Sequence, residues 1–294
     1  MIIIRYEGVV YRPPSEFDSI IIQATLGCPH NKCNFCNMYK GRKFRIRTVK
    51  EIKEDLLLAK QYYGNALNKI FFSDGNTILM KTKDLLEILN YANELFPDLE
   101  RITMYGSSQY INLKSLDELK ALNRAGLTRL HSGMESGDDE VLKFINKGVN
   151  SKEAIKAGKL IKEAGITLSL YYIVGVGGLK LSNQHAISSA KVLNEINPDF
   201  IRFRTFMPLK NTPMYEMYKE NKFHLLSPHE ALKETKLLVE NLEGISSTLV
   251  SDHMSNHWDV SGRLPEDKDH MLSEIDYALS LDISNFRSPE NGSL

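Results

Sequence analysis

Apolar positions in this chain fall into short continuous runs, each followed by a longer stretch with helical spacing, and the alternation repeats. Ser19-Ile20-Ile21-Ile22-Gln23-Ala24 is a β-branched run of the kind expected for a strand buried on both faces. Beyond a loop that contains cysteines, Thr48 reads as an N-cap and Glu51 as its capping-box partner. The helix they open runs through Leu56 and Leu57 to about Tyr63, and Gly64 fits its end. Further strands are predicted over residues 69–72, 101–105, 128–131, 167–174 and 200–204, with helices over 85–95, 115–125, 151–164 and 183–196 among them. These are six β-then-α units of roughly 30 residues, an alternation that implies a parallel sheet with right-handed crossovers. No self-similarity in the sequence marks a solenoid.

The pattern changes on either side of these units. Residues 1–18 read as a leader, in which Ile2, Ile3 and Ile4 suggest a short strand and Arg12-Pro13-Pro14-Ser15 forces an extended or turning path. From about Tyr215 the units stop. Ser227-Pro228-His229-Glu230 opens a helix that continues over 231–242 and ends near Gly244. A seventh strand is expected over 245–250, then a polar segment over 251–265, a last helix over 267–281 and a frayed tail over 288–294. No linker marks a second domain. The fold class expected is α/β: a partial (βα)6 TIM-like barrel over residues 19–214, with a helical extension over 215–294 capping its open side.

Composition narrows the function. The chain has 294 residues, enough for one αβ-barrel domain, and is 42% apolar and 25% charged, as an ordinary globular protein is. Lys plus Arg equals Asp plus Glu at 37 each, which removes the long-range electrostatic footprint of nucleic-acid binding and argues against bulk tRNA as a partner. No apolar run approaches a membrane span. The start Met1-Ile2-Ile3-Ile4-Arg5-Tyr6-Glu7 is too short and too soon charged for a signal peptide, so a cytoplasmic location is expected.

All three cysteines lie in one stretch, Gly27-Cys28-Pro29-His30-Asn31-Lys32-Cys33-Asn34-Phe35-Cys36, in the loop after the first strand. In a cytosol they read as reduced thiolates rather than a disulfide framework. Thiolates are soft ligands, and three of them spaced this closely suit an iron–sulfur cluster with one iron left open. Zinc is the rival. It wants four ligands, and a Cys3His set using His30 strains the loop, because His30 lies between two of the cysteines. In barrels of parallel strands, active sites form in the βα loops. Asp74 and Asn76, Ser107 and Gln109, Glu135, and Arg204 with Thr205 all stand at such strand ends.

With these residues in place, the chain resembles the radical S-adenosylmethionine (radical SAM) enzymes, over about residues 19–213. That family carries Cys-x3-Cys-x2-Cys after the first strand, with an aromatic before the last cysteine; here Phe35 holds the aromatic place and the first gap is one residue wider. Ser73-Asp74-Gly75-Asn76 stands where the family has a loop that meets the cofactor's amino group. Glu135 in Gly133-Met134-Glu135-Ser136-Gly137 is similar to the fourth-strand acidic residue of members such as oxygen-independent coproporphyrinogen oxidase and the Elongator-type branch. Ile173-Val174-Gly175-Val176-Gly177-Gly178 resembles the glycine motif that lines the adenine, and Phe206-Met207-Pro208 the turn after strand six. The resemblance implies that Cys28, Cys33 and Cys36 hold a [4Fe-4S] cluster whose open iron takes S-adenosylmethionine. It implies cofactor contacts from Phe35, Asp74, Gly75, Asn76, Ser107, Gln109, Glu135, Tyr172, Gly175, Arg204 and Met207. The expected reaction begins with reductive cleavage to a 5′-deoxyadenosyl radical that takes hydrogen from a small-molecule substrate, in an oxidoreductase, lyase or transferase. A flavodoxin or ferredoxin-type electron donor is the implied partner.

Several residues have two readings. Arg204 is expected to pair with a carboxylate of cofactor or substrate, or else with Glu135 or Asp74. The run Arg42-Lys43-Phe44-Arg45-Ile46-Arg47 suits an anionic substrate or acidic donor, or an ordinary solvated face. Asp252 and His253 are candidate catalytic residues from the extension; His253 and His257, four apart on a helix, also have metal-ligand spacing. Tyr171 and Tyr172 alternate, so one faces the barrel interior, and Tyr172 is the one placed at the cofactor. Two other classes remain: an iron–sulfur electron-transfer or sensor protein, and a zinc-binding module.

Overall fold

The structure, a computed structural model, describes residues 4–287; Ile2, Ile3 and the tail 288–294 lie outside the described residues. In chain order its elements are β1 (Ile20–Gln23), β2 (Thr25–Leu26), β3 (Arg45–Ile46), α1 (Val49–Tyr63), β4 (Lys69–Ser73), α2 (Thr82–Leu95), β5 (Arg101–Tyr105), α3 (Ser108–Ile111), α4 (Leu116–Arg124) and β6 (Leu127–Glu135). Then follow α5 (Asp139–Phe144), α6 (Ser151–Glu163), β7 (Thr167–Val174), α7 (Gly178–Ile196), β8 (Phe200–Thr205), α8 (Pro213–Lys219), α9 (Pro228–Glu240), β9 (Thr248–Val250), β10 (Gly262–Arg263) and α10 (Lys268–Ser280). The six strand-then-helix units stand as the apolar pattern predicts, in a mixed α/β fold with parallel strands. The chain divides into two compact units, one of Met1–Asn31, Met38–Ser132 and Lys159–Leu168, the other of Lys32–Asn37, Gly133–Gly158 and Ser169–Leu294.

In the first unit β4 pairs in parallel with β1 and β5, and β5 with β6. Ile70, Phe71 and Phe72 of β4 are fully or almost fully buried, each contributing about 2 kcal/mol of apolar burial. Thr48 caps α1 by the capping box read from the sequence: its side chain accepts from Glu51 N, and Glu51 accepts from Thr48 N at 2.7 Å. Two findings depart from expectation. The basic run is not a free solvated face: Arg45 and Ile46 form β3, antiparallel to β2. Arg47 is buried against Asp55, Arg45 pairs with Glu7 and Glu51, and Arg42 donates to Val9 O at 2.7 Å. The segment before β1 also does more than lead in. Ile4 is not in a strand, whereas Glu16 is fully buried and ion-paired with His131 at 2.9 Å, Arg101 at 3.4 Å and Arg129 at 3.5 Å. Burial alone would raise the Glu16 carboxyl, but hydrogen bonds from His131 and Ser19 and the nearby positive charges hold it below the ordinary range.

In the second unit β7, β8 and β9 pair in parallel, and β10 runs antiparallel to β9. The expected seventh strand is thus β9, shortened to three residues. Helix α9 packs on α7 and α10. Helix α8 was not anticipated, although Thr212 before Pro213 is a sound start signal, and the Thr212 side chain accepts from Tyr215 N. The segment after β9 is not helical around His253 and His257. Their spacing therefore does not place them on one helix face: His253 meets Arg204, and His257 lies 3.2 Å from the Arg287 carbonyl.

Candidate active site

Cys28 belongs to the first unit. The β2–β3 ribbon holds the chain on either side of the cysteine loop. Asp74, at the end of β4, is fully buried, and its Oδ2 accepts from Gly27 N at 3.1 Å and Gln23 Nε2 at 3.0 Å. Oδ1 has no hydrogen-bond partner among the described residues. Burial raises this carboxyl above its ordinary range, against the lowering effect of those two donors and of Arg42. Asp74 was expected to meet the cofactor; in the structure it anchors the turn into the cysteine loop from beneath. Its neighbours lie closer to the thiol. A Cβ at Gly75 would stand 2.9 Å from the Tyr39 ring and 3.2 Å from Cys28 Cβ, so only glycine allows the loop to lie here. Asn76 bridges two loops, its Nδ2 3.6 Å from Cys28 Sγ and its Oδ1 accepting from Ser107 N at 2.7 Å. Ser107 precedes α3, which carries Gln109 half-buried.

Cys33 and Cys36 belong to the second unit, where their loop is stapled to the chain. Asn34 N donates to Ile145 O at 2.8 Å and Asn34 Nδ2 to Phe144 O at 2.6 Å. Asn34 O accepts from Met214 N at 3.1 Å, Asn146 Nδ2 donates to Lys32 O, and Asn37 Nδ2 to Lys210 O. Between the two cysteines, Phe35 packs against a core cluster that includes Val141, Ile145, Ile173, Phe206 and Phe223. The aromatic before the last cysteine therefore anchors the loop, and the thiols on either side of it stay half-exposed and unbridged.

Glu135 ends β6 with φ 62°, a left-handed conformation that costs a non-glycine residue energy. Its carboxylate pairs with Lys147 Nζ at 2.7 Å, not with Arg204. The turn after it is fixed by α7: Asp138 N donates to Ser136 Oγ, Ser136 lies 2.8 Å from His185 Nδ1, and Gly137 N donates to Ser189 Oγ at 2.7 Å. A side chain at Gly137 would meet the Ser189 backbone at 2.6 Å, so α7 requires glycine there.

Strand alternation divides β7 and β8 into two faces. Tyr172 lies on the face toward α7 and α9. It is fully buried, stacked on His185 at 4.6 Å, and its hydroxyl donates to Glu234 at 3.0 Å. Burial and the Glu234 carboxylate push that hydroxyl well up. The residue on the opposite face is Tyr171, whose ring lies under the Arg204 guanidinium. Gly175, expected at the adenine, is buried with Leu226 within 3.3 Å of where its Cβ would be. Its N–H donates to Glu234 at 2.7 Å, and the other Glu234 oxygen accepts from Ser182 at 2.6 Å. Glu234 is itself 1% exposed and was not singled out from the sequence.

Arg204 ends the opposite face of β8. Its guanidinium lies over the Tyr171 ring at 5.2 Å, and Nη1 stands 3.1 Å from His253 Nε2. A guanidinium only donates, so Nε2 accepts; Nδ1 lies 2.8 Å from Ser255 Oγ and 3.1 Å from Ser255 N. Burial, with the Arg204 charge, lowers the His253 ring to about 4, against the raising effect of Asp252. Asp252 is exposed, and Met207, just past β8, is half-buried.

The profile of the Radical SAM superfamily matches residues 22–188, more than half of the chain, all three cysteines included. This chain belongs to the radical SAM superfamily. It is 24% identical over 198 residues to an uncharacterized methyltransferase of Pyrococcus horikoshii, covering 67% of this chain and 41% of that protein. Among solved structures it superposes with a TM-score of 0.55 on methylornithine synthase, at 17% identity over 87% of this chain and 68% of that one. It does so equally, with a TM-score of 0.55, on coproporphyrinogen III oxidase of Escherichia coli, at 16% identity over 83% of this chain and 64% of that one. These likenesses show the fold. The chain spans 41% of the Pyrococcus relative and 22% of a Methanocaldococcus infernus tRNA uridine(34) acetyltransferase.

Membership of the radical SAM family implies a [4Fe-4S] cluster and S-adenosylmethionine. The residues present fit: three cysteines on one loop, none in a disulfide, with an amide donor beside Cys28. Among the described residues no three His, Cys, Asp or Glu side chains are gathered around one ion, and a cluster instead spreads its thiolates over separate irons. No helix among the described residues is long and apolar enough to cross a membrane.

Proposed function

We propose that this chain is a radical SAM enzyme in which Cys28, Cys33 and Cys36 ligate three irons of a [4Fe-4S] cluster and leave the fourth to S-adenosylmethionine. The observation that carries this reading is the cysteine loop itself: three unbridged thiols within nine positions, inside the span matched by the family profile. When bound, the cluster and cofactor supply a 5′-deoxyadenosyl radical for hydrogen abstraction from a small substrate. The chain's own residues hold and orient. Asn76 offers its amide to the Cys28 sulfur and ties that loop to Ser107. Phe35 and Asn34 fix the loop between Cys33 and Cys36. Glu135, held by Lys147, and Gly75, Gln109, Gly175 and Met207 at the strand ends are the proposed cofactor contacts. Arg204, with Asp252 and His253 beside it, is the proposed substrate-facing group. An electron donor of flavodoxin or ferredoxin type and a cytoplasmic location complete the proposal, as does a capping role for the extension from residue 215.

Anaerobic reconstitution tests it. Iron and sulfide should be found at about four each per chain, dithionite-reduced protein should release 5′-deoxyadenosine, and Cys33→Ala should abolish release. Zinc in place of iron, or a reducible cluster that neither binds nor cleaves S-adenosylmethionine, would overturn it in favour of a zinc module or an electron-transfer protein.

A further inference from the structure

Arg202 and Arg204 stand two residues apart on β8, on the face opposite Tyr172 and Phe203, which pack together near α7. Both are half-buried. Neither meets a carboxylate among the described residues. Arg202 donates to Ser169 Oγ at 3.0 Å and lies over the Phe200 ring at 5.4 Å. Arg204 meets a neutral imidazole nitrogen and the Tyr171 ring. An arginine withdrawn from water normally pairs with an anion, because its charge is permanent and its desolvation is otherwise uncompensated. Here the strand places two such charges on one face, roughly 7 Å apart by the rise of a β-strand, and surrounds them with neutral partners that fix the guanidinium planes but leave donors over.

We infer that Arg202 and Arg204 form a binding site for a small substrate carrying two carboxylates, one for each guanidinium fork. This rests on the radical SAM reading above, in which the fourth iron, and not the arginines, is left to S-adenosylmethionine. Two planar forks spaced along a strand match two separated planar carboxylates better than one tetrahedral phosphate. His253 serves as a positioning residue: accepting from Arg204 Nη1, it turns the remaining donors away from its own ring.

The test uses the full chain, both reconstituted and free of cluster, with succinate, glutarate, adipate, acetate and inorganic phosphate as probes in titration calorimetry. Dicarboxylates should bind at least about tenfold tighter than acetate, since the second carboxylate adds a second charge-assisted fork. Arg202→Gln and Arg204→Gln should each erase that preference. Arg204→Lys should keep part of it, and His253→Gln, which retains an acceptor, should keep more than His253→Leu. Melting curves identify any variant that does not fold, and the Lys and Gln replacements then decide. Equal affinity for acetate and adipate overturns the proposal, as does tighter binding of phosphate. So does competition between adipate and S-adenosylmethionine that vanishes with the decarboxylated cofactor, since the arginines would then serve the cofactor's carboxylate. Adipate binding to cluster-free protein is read independently of cofactor cleavage, so failure of the radical SAM reading and failure of the dicarboxylate site give different results.

Discussion

The carboxylate of Glu234 accepts the backbone N–H of Gly175 at 2.7 Å, across 59 positions of sequence. A helix of the extension thereby holds the glycine turn at the end of β7, and the same carboxylate takes the hydroxyls of Tyr172 and Ser182. Glu234→Ala strands three buried donors and should destabilise the protein by on the order of 3 kcal/mol, at about 1–3 kcal/mol for each unsatisfied group with partial relaxation. Glu234→Gln keeps acceptors and should lose less. Urea unfolding of the two variants measures the difference, and equal losses would contradict this role for the carboxylate.

With Cys28 as the proposed cluster ligand, Asn76 would tune the cluster through that sulfur. Hydrogen bonds to cluster sulfurs stabilise the reduced, more negative state. Asn76→Leu should therefore shift the midpoint potential of the reconstituted cluster downward while leaving iron content near that of the parent. A potentiometric titration followed by electron paramagnetic resonance reads this; an unchanged potential would mean that the 3.6 Å contact is spatial only.

His253 predicts a window of acid sensitivity. Its ring is lowered to about 4 in the folded protein against an ordinary value near 6.5. Burial also lowers the fully enclosed His185. Between pH 6.5 and 4 the unfolded chain therefore binds protons that the folded chain does not, so stability is complete above about pH 6.5 and falls as the pH drops toward 4. Melting temperatures recorded across that range should fall with acid, and the slope should be shallower in His253→Gln. A parallel slope in the variant would remove His253 from the account.

Glu16 should be among the residues least tolerant of change before β1. Removing one member of a buried ionic group leaves the others uncompensated, at a cost of about 3–5 kcal/mol. Glu16→Ala should lower stability by that order and Phe17→Ala, at an exposed position, by far less. Deleting the segment up to residue 18 should be at least as severe as Glu16→Ala.

Much of the fold was legible because its signals are local. β-branched runs marked the strands, and Thr48 with Glu51 and Ser227 with Glu230 marked helix starts that the structure contains as full capping boxes. The cysteine loop was legible because three thiols in nine positions need no tertiary information. What escaped depends on distant partners. Glu234 is an ordinary helix residue until Gly175, Tyr172 and Ser182 converge on it. The choice between Tyr171 and Tyr172 turns on which face of β7 meets α7, and alternation alone does not say. Asp74 appeared as a polar strand-end residue like Asn76, yet one is sealed beneath the loop and the other turned to the thiol. The basic run from Arg42 to Arg47 looked like a surface because its acceptors, Val9, Glu7 and Asp55, lie in other elements.

The buried pairing of Glu16 also sets an order of events during synthesis. Its His131 partner follows 115 positions later, and at about 5–20 residues per second it emerges on the order of ten seconds after Glu16. Arg101, 85 positions on, is available earlier, but the His131 ring that lies 2.9 Å from the carboxylate is not. The Glu16–His131 pair can therefore form only after β1, β4 and β5 have been synthesised.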